Sequence, residues 1–142
     1  ETPLTQCRVD FMEANLLRSF IEDADLAICH GGNSASLRFG HESVVLPLVC
    51  LMGINGMDYQ TEDLSTLSDH WRSYEVFPMA CNLQMVYYRN DKGEILVKVL
   101  LNEREARLPV NTDCAPYYRW NDVRDYFHDK LSRQPYIKSV IQ

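Results

Sequence analysis

Two hydrophobic periods alternate along the chain. From Asp10 to Ala24, the residues Phe11, Ala14, Leu17, Ile21 and Ala24 recur at three- and four-residue steps, with Leu16 and Phe20 widening the stripe. That spacing predicts an amphipathic helix over 10–24. Asp10 stands where a cap is needed, with Glu13 three residues on. The run Glu22-Asp23-Ala24-Asp25 places acid at the far end, where it opposes the helix dipole, so the helix is expected to stop there. Residues 26–34 run into Gly31-Gly32-Asn33, a loop. Ala35–Phe39 reads as a short strand, broken by Gly40-His41-Glu42-Ser43. Val44–Met52 is apolar throughout and is followed by Gly53, which predicts a buried helix from about Ser43 to Met52 with a glycine stop. Pro47 is least costly in the first turn of such a helix, where N–H groups lack partners anyway.

The second half changes period. Residues 54–75 form a polar excursion, with short helical turns expected around Glu62–Trp71. Cys81–Tyr88 is rich in strand formers, Asn90-Asp91-Lys92-Gly93 is a turn, and Glu94–Leu101 alternates at Ile95, Val97 and Val99. Together these predict a β-hairpin. A second turn over Asn102–Glu105 precedes Ala106-Arg107-Leu108. Asn121 is placed as the cap of a last helix, with Val123, Tyr126, Phe127 and Leu131 on one stripe, Asp122 in the first turn and Pro135 beyond the end. The order is helix, strand, helix, hairpin, helix. With no repeat and no linker in 142 residues, this is a mixed α/β arrangement in one piece.

Composition narrows the function classes. A hydrophobic fraction of 46% and a charged fraction of 24% are those of a globular chain. A net charge of −6 without a dense Lys/Arg cluster argues against a nucleic-acid partner. No run of 18 apolar residues is present, which argues against a membrane partner through a spanning helix. The chain opens at Glu1, as a processed chain or an excised piece does, and no signal peptide is read in it. Five cysteines occur without a C-x-x-C pair, and Cys50 is expected to be a small buried hydrophobe. The aromatic residues Tyr87, Tyr88, Tyr117, Tyr118 and Trp120 are expected to pack in the strands and core. No cofactor and no metal are implied. A zinc-protease pattern starting at His41-Glu42 needs a second histidine at 45, which is Val45. His30 is read as a loop residue, and His70 and His128 as residues on solvated faces.

The informative stretch is Leu37-Arg38-Phe39-Gly40-His41-Glu42, a histidine and a carboxylate between a strand end and a helix start. Ligands in open α/β sheets bind at such junctions. The helix N-terminus offers free N–H groups and partial positive charge, which suit a phosphate. An imidazole donates to a phosphoryl oxygen, and a carboxylic acid protonates a leaving alkoxide. From the residues alone this is an anion site with a proton donor, or a structural cap.

The run from Leu37 through Gly40-His41-Glu42-Ser43-Val44-Val45-Leu46-Pro47-Leu48 resembles the second signature of the histidine acid phosphatases, which include the phytases. The likeness continues at Cys50-Leu51-Met52-Gly53, at Ala80-Cys81-Asn82-Leu83, at Val97–Glu103 (similar to a late strand of the multiple inositol polyphosphate phosphatases) and at Tyr126-Phe127. The resemblance implies a phosphate monoesterase with a phosphohistidine intermediate. In it His41 contacts the phosphoryl group and Glu42 donates the proton. The pair is His-Glu where the family has His-Asp; the inositol polyphosphate branch has His-Ala-Glu, with the acid at the place of Ser43. The family's nucleophile lies in an Arg-His-Gly-x-Arg-x-Pro motif. The His-Gly here, His30-Gly31, has Cys29 before it, Gly32-Asn33-Ser34 after it and no flanking arginine. Residues 1–142 are therefore expected to be a C-terminal segment of a catalytic domain without its nucleophile half, inactive alone. The implied partners are a small phosphate ester such as an inositol phosphate, and the N-terminal half of the same enzyme. The alternative is a catalytically silent domain that packs against another chain or itself. The resemblance also implies a periplasmic or secreted location.

Overall fold

The apolar stripe of the first helix does not end at Ala24. Ile28 continues it, and in a computed structural model of the chain α1 spans Leu4–His30. The structure describes residues 4–59, 64–66, 69 and 72–133. Ala14, Leu17, Ile21 and Ala24 are buried along one face of α1. The acidic run does not stop the helix, because two of its carboxylates find cations. Asp23 pairs with Arg38, and Asp25 accepts hydrogen bonds from Trp120 Nε1 at 2.8 Å and Arg124 Nη1 at 3.2 Å. A paired carboxylate opposes the dipole far less than a free one. Asp10 and Glu13 consequently lie inside the helix and not at its cap, and Glu13 is buried.

Gly31 and Gly32, at φ +68° and +78°, turn the chain after α1. The strand expected over 35–39 does not form: residues 33–40 are exposed, adopt no regular structure and make no main-chain hydrogen bond within the described chain. The alternation is present in the sequence, but no strand of the described residues comes to pair with it. Helix α2 then spans Glu42–Met52, one residue earlier than expected. Pro47 falls in its second turn, and the carbonyl that loses its donor is that of exposed Ser43, which water can satisfy. Gly53 closes α2 in the left-handed conformation, φ 67° and ψ 26°. A Cβ there would sit 2.8 Å from the Tyr126 hydroxyl, which itself donates to the Met52 carbonyl.

Beyond a 3-10 turn at Ile54–Gly56, the described residues of the polar excursion include a second at Leu64–Thr66 and a short helix, α3, at Ser73–Val76. His70, Trp71 and Pro135 lie outside the described residues. The hairpin forms as the alternation requires. Strands β1 (Leu83–Arg89) and β2 (Ile95–Leu101) pair antiparallel from Leu83 opposite Leu101 to Arg89 opposite Ile95. Asn90 fixes the turn, its side-chain oxygen accepting from the N–H groups of Lys92 and Glu94, and Gly93 supplies φ +80°. Asn102 and Glu103, both at positive φ, turn β2 into β3 (Arg104–Glu105). The other end of the same β2 edge takes β4 (Tyr118–Arg119).

Helix α4, Trp120–Ser132, starts one residue before the expected cap. Arg119 occupies the cap position, and Asn121 lies in the first turn with its side-chain oxygen on Arg124. Trp120 leads the helix because its indole N–H reaches Asp25. The fold is α/β: among the described residues, four helices and an antiparallel sheet of four strands. Val97, Val99 and Leu101 of β2 meet Leu17 and Ile21 of α1, Val49 and Met52 of α2, and Val123 and Phe127 of α4 in one core. Tyr87, Tyr118 and Trp120 pack within it or against it, and Tyr88 meets Tyr117 edge-on at its border. Cys50, expected to be fully buried, is half-buried.

Gly53→Ala is expected to destabilise the fold by about 1–2 kcal/mol from the left-handed strain alone, with the Tyr126 clash adding to it; urea unfolding measures this. Burial pushes the Glu13 carboxyl above its ordinary value of 4.5. The raised value means that the ionised form is penalised in the fold. Glu13→Gln is therefore expected to raise the melting temperature at pH 7. The gain should fade as the pH falls through the raised value towards 4.5, and a gain of equal size at pH 4 would contradict this account.

Candidate functional site

After the two glycines the chain doubles back along α1. Three contacts fix its course. Ser36 Oγ donates to Asp23 Oδ2 at 3.2 Å, and Arg38 Nη2 donates to the same oxygen at 2.5 Å and to Ser19 Oγ at 2.6 Å. The Arg38 guanidinium also lies 5.0 Å from the centre of the Phe20 ring. The Arg38 hydrogen bond, with Ser36 assisting, holds the Asp23 carboxyl below the usual carboxylate range. The intervening residues point the other way: Leu37 is 75% and Phe39 93% exposed.

This segment delivers His41 to the start of α2. His41 is the cap residue in sequence position, with extended backbone at φ −84° and ψ 153°, but its side chain does not cap. Its carbonyl accepts from Val44 N–H at 3.0 Å. Glu42 is the first residue of α2, and both side chains are exposed, with no hydrogen bond or ion pair among the described residues. A Cβ on Gly40 would meet nothing within 4 Å, so the space beside the pair is open. Glu42 lies close enough to Cys81, just before β1, for its charge to add to burial in pushing the Cys81 thiol up.

Chemically, the uncapped start of α2 combines free N–H groups with an unengaged imidazole and an unengaged carboxyl. Such a set has the chemistry to bind an anion and to move one proton. It contains no arginine able to grip a phosphate, since Arg38 is taken up by Asp23.

His30 is not in a loop. It is the last residue of α1, and its Nδ1 lies 2.8 Å from the Leu26 carbonyl. His128 is exposed on α4. Among the described residues no three His, Cys, Asp or Glu side chains gather in a way that holds a metal ion, and no helix is long and apolar enough to cross a membrane. An open cleft of about 400 Å³ lies between the hairpin turn and the start of α4, lined by Lys92, Glu94, Arg119 and Asp122 among others, and does not include His41 or Glu42.

The chain is similar to multiple inositol polyphosphate phosphatase 1 of Homo sapiens. It is 28% identical to that phosphatase over 107 residues, which cover 67% of this chain and 21% of the relative. The chain thus spans about a fifth of the relative's length. No family model matches the chain.

The residue pair that sequence reasoning missed is Asp23–Arg38. Arg38 had a legible signal: in the alternating run it shares one face with Ser36, opposite Leu37 and Phe39, so that face wants a polar partner. The partner, 15 residues earlier, was hidden in an acidic run that helix logic read as a stop.

Proposed function

We propose that this chain is part of a phosphatase that hydrolyses phosphate monoesters through a phosphohistidine. His41 and Glu42, adjacent and unengaged at the uncapped start of α2, carry the proposal, and the similarity to a phosphatase supports it. The nucleophilic histidine comes from the half of the enzyme that precedes this segment, and it attacks phosphorus to form a P–N bond. As the P–O bond breaks, Glu42 passes its proton to the leaving oxygen, and His41 donates a hydrogen bond to a phosphoryl oxygen. Water then attacks phosphorus, the P–N bond breaks to free the histidine and release inorganic phosphate, and the Glu42 carboxylate takes the proton of the water, which restores its acid form. Glutamate reaches one methylene further than the aspartate of the resembled motif, so the leaving oxygen sits correspondingly further from the α2 backbone. The inositol polyphosphates in the relative's name extend the substrate class to inositol phosphates, and a periplasmic or secreted location belongs to the same reading.

A second reading is favoured by one observation: residues 33–40 expose Leu37 and Phe39 and leave their main-chain groups unpaired. An exposed segment with unpaired main-chain groups offers another chain a place to pair. In this reading the segment is catalytically silent and packs against another polypeptide or a copy of itself.

In the full-length enzyme, Glu42→Gln is expected to slow hydrolysis of alkyl phosphates by about 10²–10⁴-fold and to spare aryl phosphates with good leaving groups. Unchanged turnover of both removes Glu42 as the donor. The 142-residue chain alone is expected to release no phosphate from an aryl phosphate at acidic pH. For the second reading, the chain is expected to sediment as a dimer or larger and Phe39→Lys to return it to a monomer; a monodisperse native monomer at high concentration counts against it.

A further inference from the structure

We infer that Asp23 and Arg38 form a clamp that positions His41 and Glu42. The claim that these two residues do chemistry rests on the proposed phosphatase reading; the clamp itself rests on how the segment is held. The chain is fixed at Gly31, whose N–H bonds the Ala27 carbonyl, and again at His41, whose carbonyl takes the Val44 N–H. Between these points no main-chain hydrogen bond to another described residue ties the chain down. Ser36 and Arg38 are the side chains of residues 33–40 with a hydrogen bond to the rest of the described protein, and both reach Asp23. Arg38 adds Ser19 and the face of Phe20. Ser19, Phe20 and Asp23 lie within about one turn of α1, and the buried face of α1 is packed on α2 in the common core. The Asp23 carboxylate therefore sets where the segment runs, and with it the direction in which Gly40-His41 enters α2.

Arg38 acts here by position and not by contact. Its charge is already matched by Asp23, so it is a positioning residue and not a phosphate ligand. The pair is exposed, at 37% and 39% of side-chain surface, and exposed pairs contribute little to global stability. Variants of either residue should fold with α1, α2 and the hairpin intact, which leaves the local effect open to measurement.

The test is backbone ¹⁵N relaxation on the 142-residue chain. In the native chain the amides of residues 34–40 should be ordered, with order parameters near ~0.85. In Asp23→Asn and in Arg38→Met they should fall below about 0.6. Glu22→Gln, one residue away and exposed, should leave them unchanged. The exchanged pair Asp23→Arg with Arg38→Asp should restore order, which loss of a merely structural residue does not predict. In parallel, inorganic phosphate is titrated against the His41 ring proton shift in the full-length enzyme and its Asp23→Asn and Arg38→Met variants. Loosening that leaves the competent geometry populated a fifth of the time weakens apparent binding about fivefold. Equal order parameters in the native and Asp23→Asn chains, or an exchanged pair as loose as the single variants, overturn the clamp. A full-length enzyme whose His41 ignores phosphate overturns the phosphatase reading of the site, while the order parameters of the 142-residue chain still decide the clamp.

Discussion

Asp25 holds the first helix against the last. Its carboxylate accepts the indole N–H of Trp120 and a guanidinium N–H of Arg124, across separations of 95 and 99 residues. The same indole meets Tyr87 edge-on, with ring centres 5.1 Å apart, so one acidic residue on α1 reaches both α4 and β1. Burial pushes the Tyr87 phenol up, and the negative charge of Asp25 adds to the effect, which keeps that ring neutral. The rest of the architecture follows from this junction. With α1 and α4 fixed, the alternating face of β2 has a surface to bury, and α2 closes the remaining side through Val49 and Met52.

What was legible in the sequence is what local chemistry decides. The hairpin needed Asn90 and Gly93 at their places in the turn and an alternating Ile95, Val97, Val99, and it formed in the register these imply. Helix α2 needed a continuous apolar run and Gly53, and it ended there. The errors share a different cause. The length of α1 was underestimated because Asp23 and Asp25 were weighed as free acids, when each is neutralised by a cation 15 or 99 residues away. Asn121 lost the cap position of α4 because Trp120 is drawn to the helix start by the same Asp25. Local rules see neither partner.

The strand expected over 35–39 failed for a third reason. Its alternation is real: Ser36 and Arg38 turn to α1, while Leu37 and Phe39 face out. A strand is a relation between two segments, and the described chain supplies only one of them. The candidate site was legible to the same degree. The placement of His41 and Glu42 at a helix start could be read from Gly40 and the apolar run that follows; the Asp23–Arg38 tether that aims them could not.

The core and the site obey opposite constraints. Among the described residues, the core groups find their partners within the fold: the buried positions of α1, α2, β2 and α4 meet in one core, and Asp25, Trp120 and Arg124 satisfy one another. The run from Gly31 to Ser43 is the reverse, exposed throughout, with unpaired main-chain groups and an almost bare Phe39. That run carries both His41 and Glu42. In the proposed phosphatase His41 and Glu42 would have to stay unengaged until substrate arrives, and an extended segment with unpaired main-chain groups stays open until another chain arrives. Both demands fall on one segment here, so whatever covers Leu37 and Phe39 also determines the surroundings of His41. The phosphatase and docking readings therefore constrain each other. A partner that packs on this segment meets its Leu37 and Phe39 face, because Asp23, Ser19 and Phe20 already occupy the other.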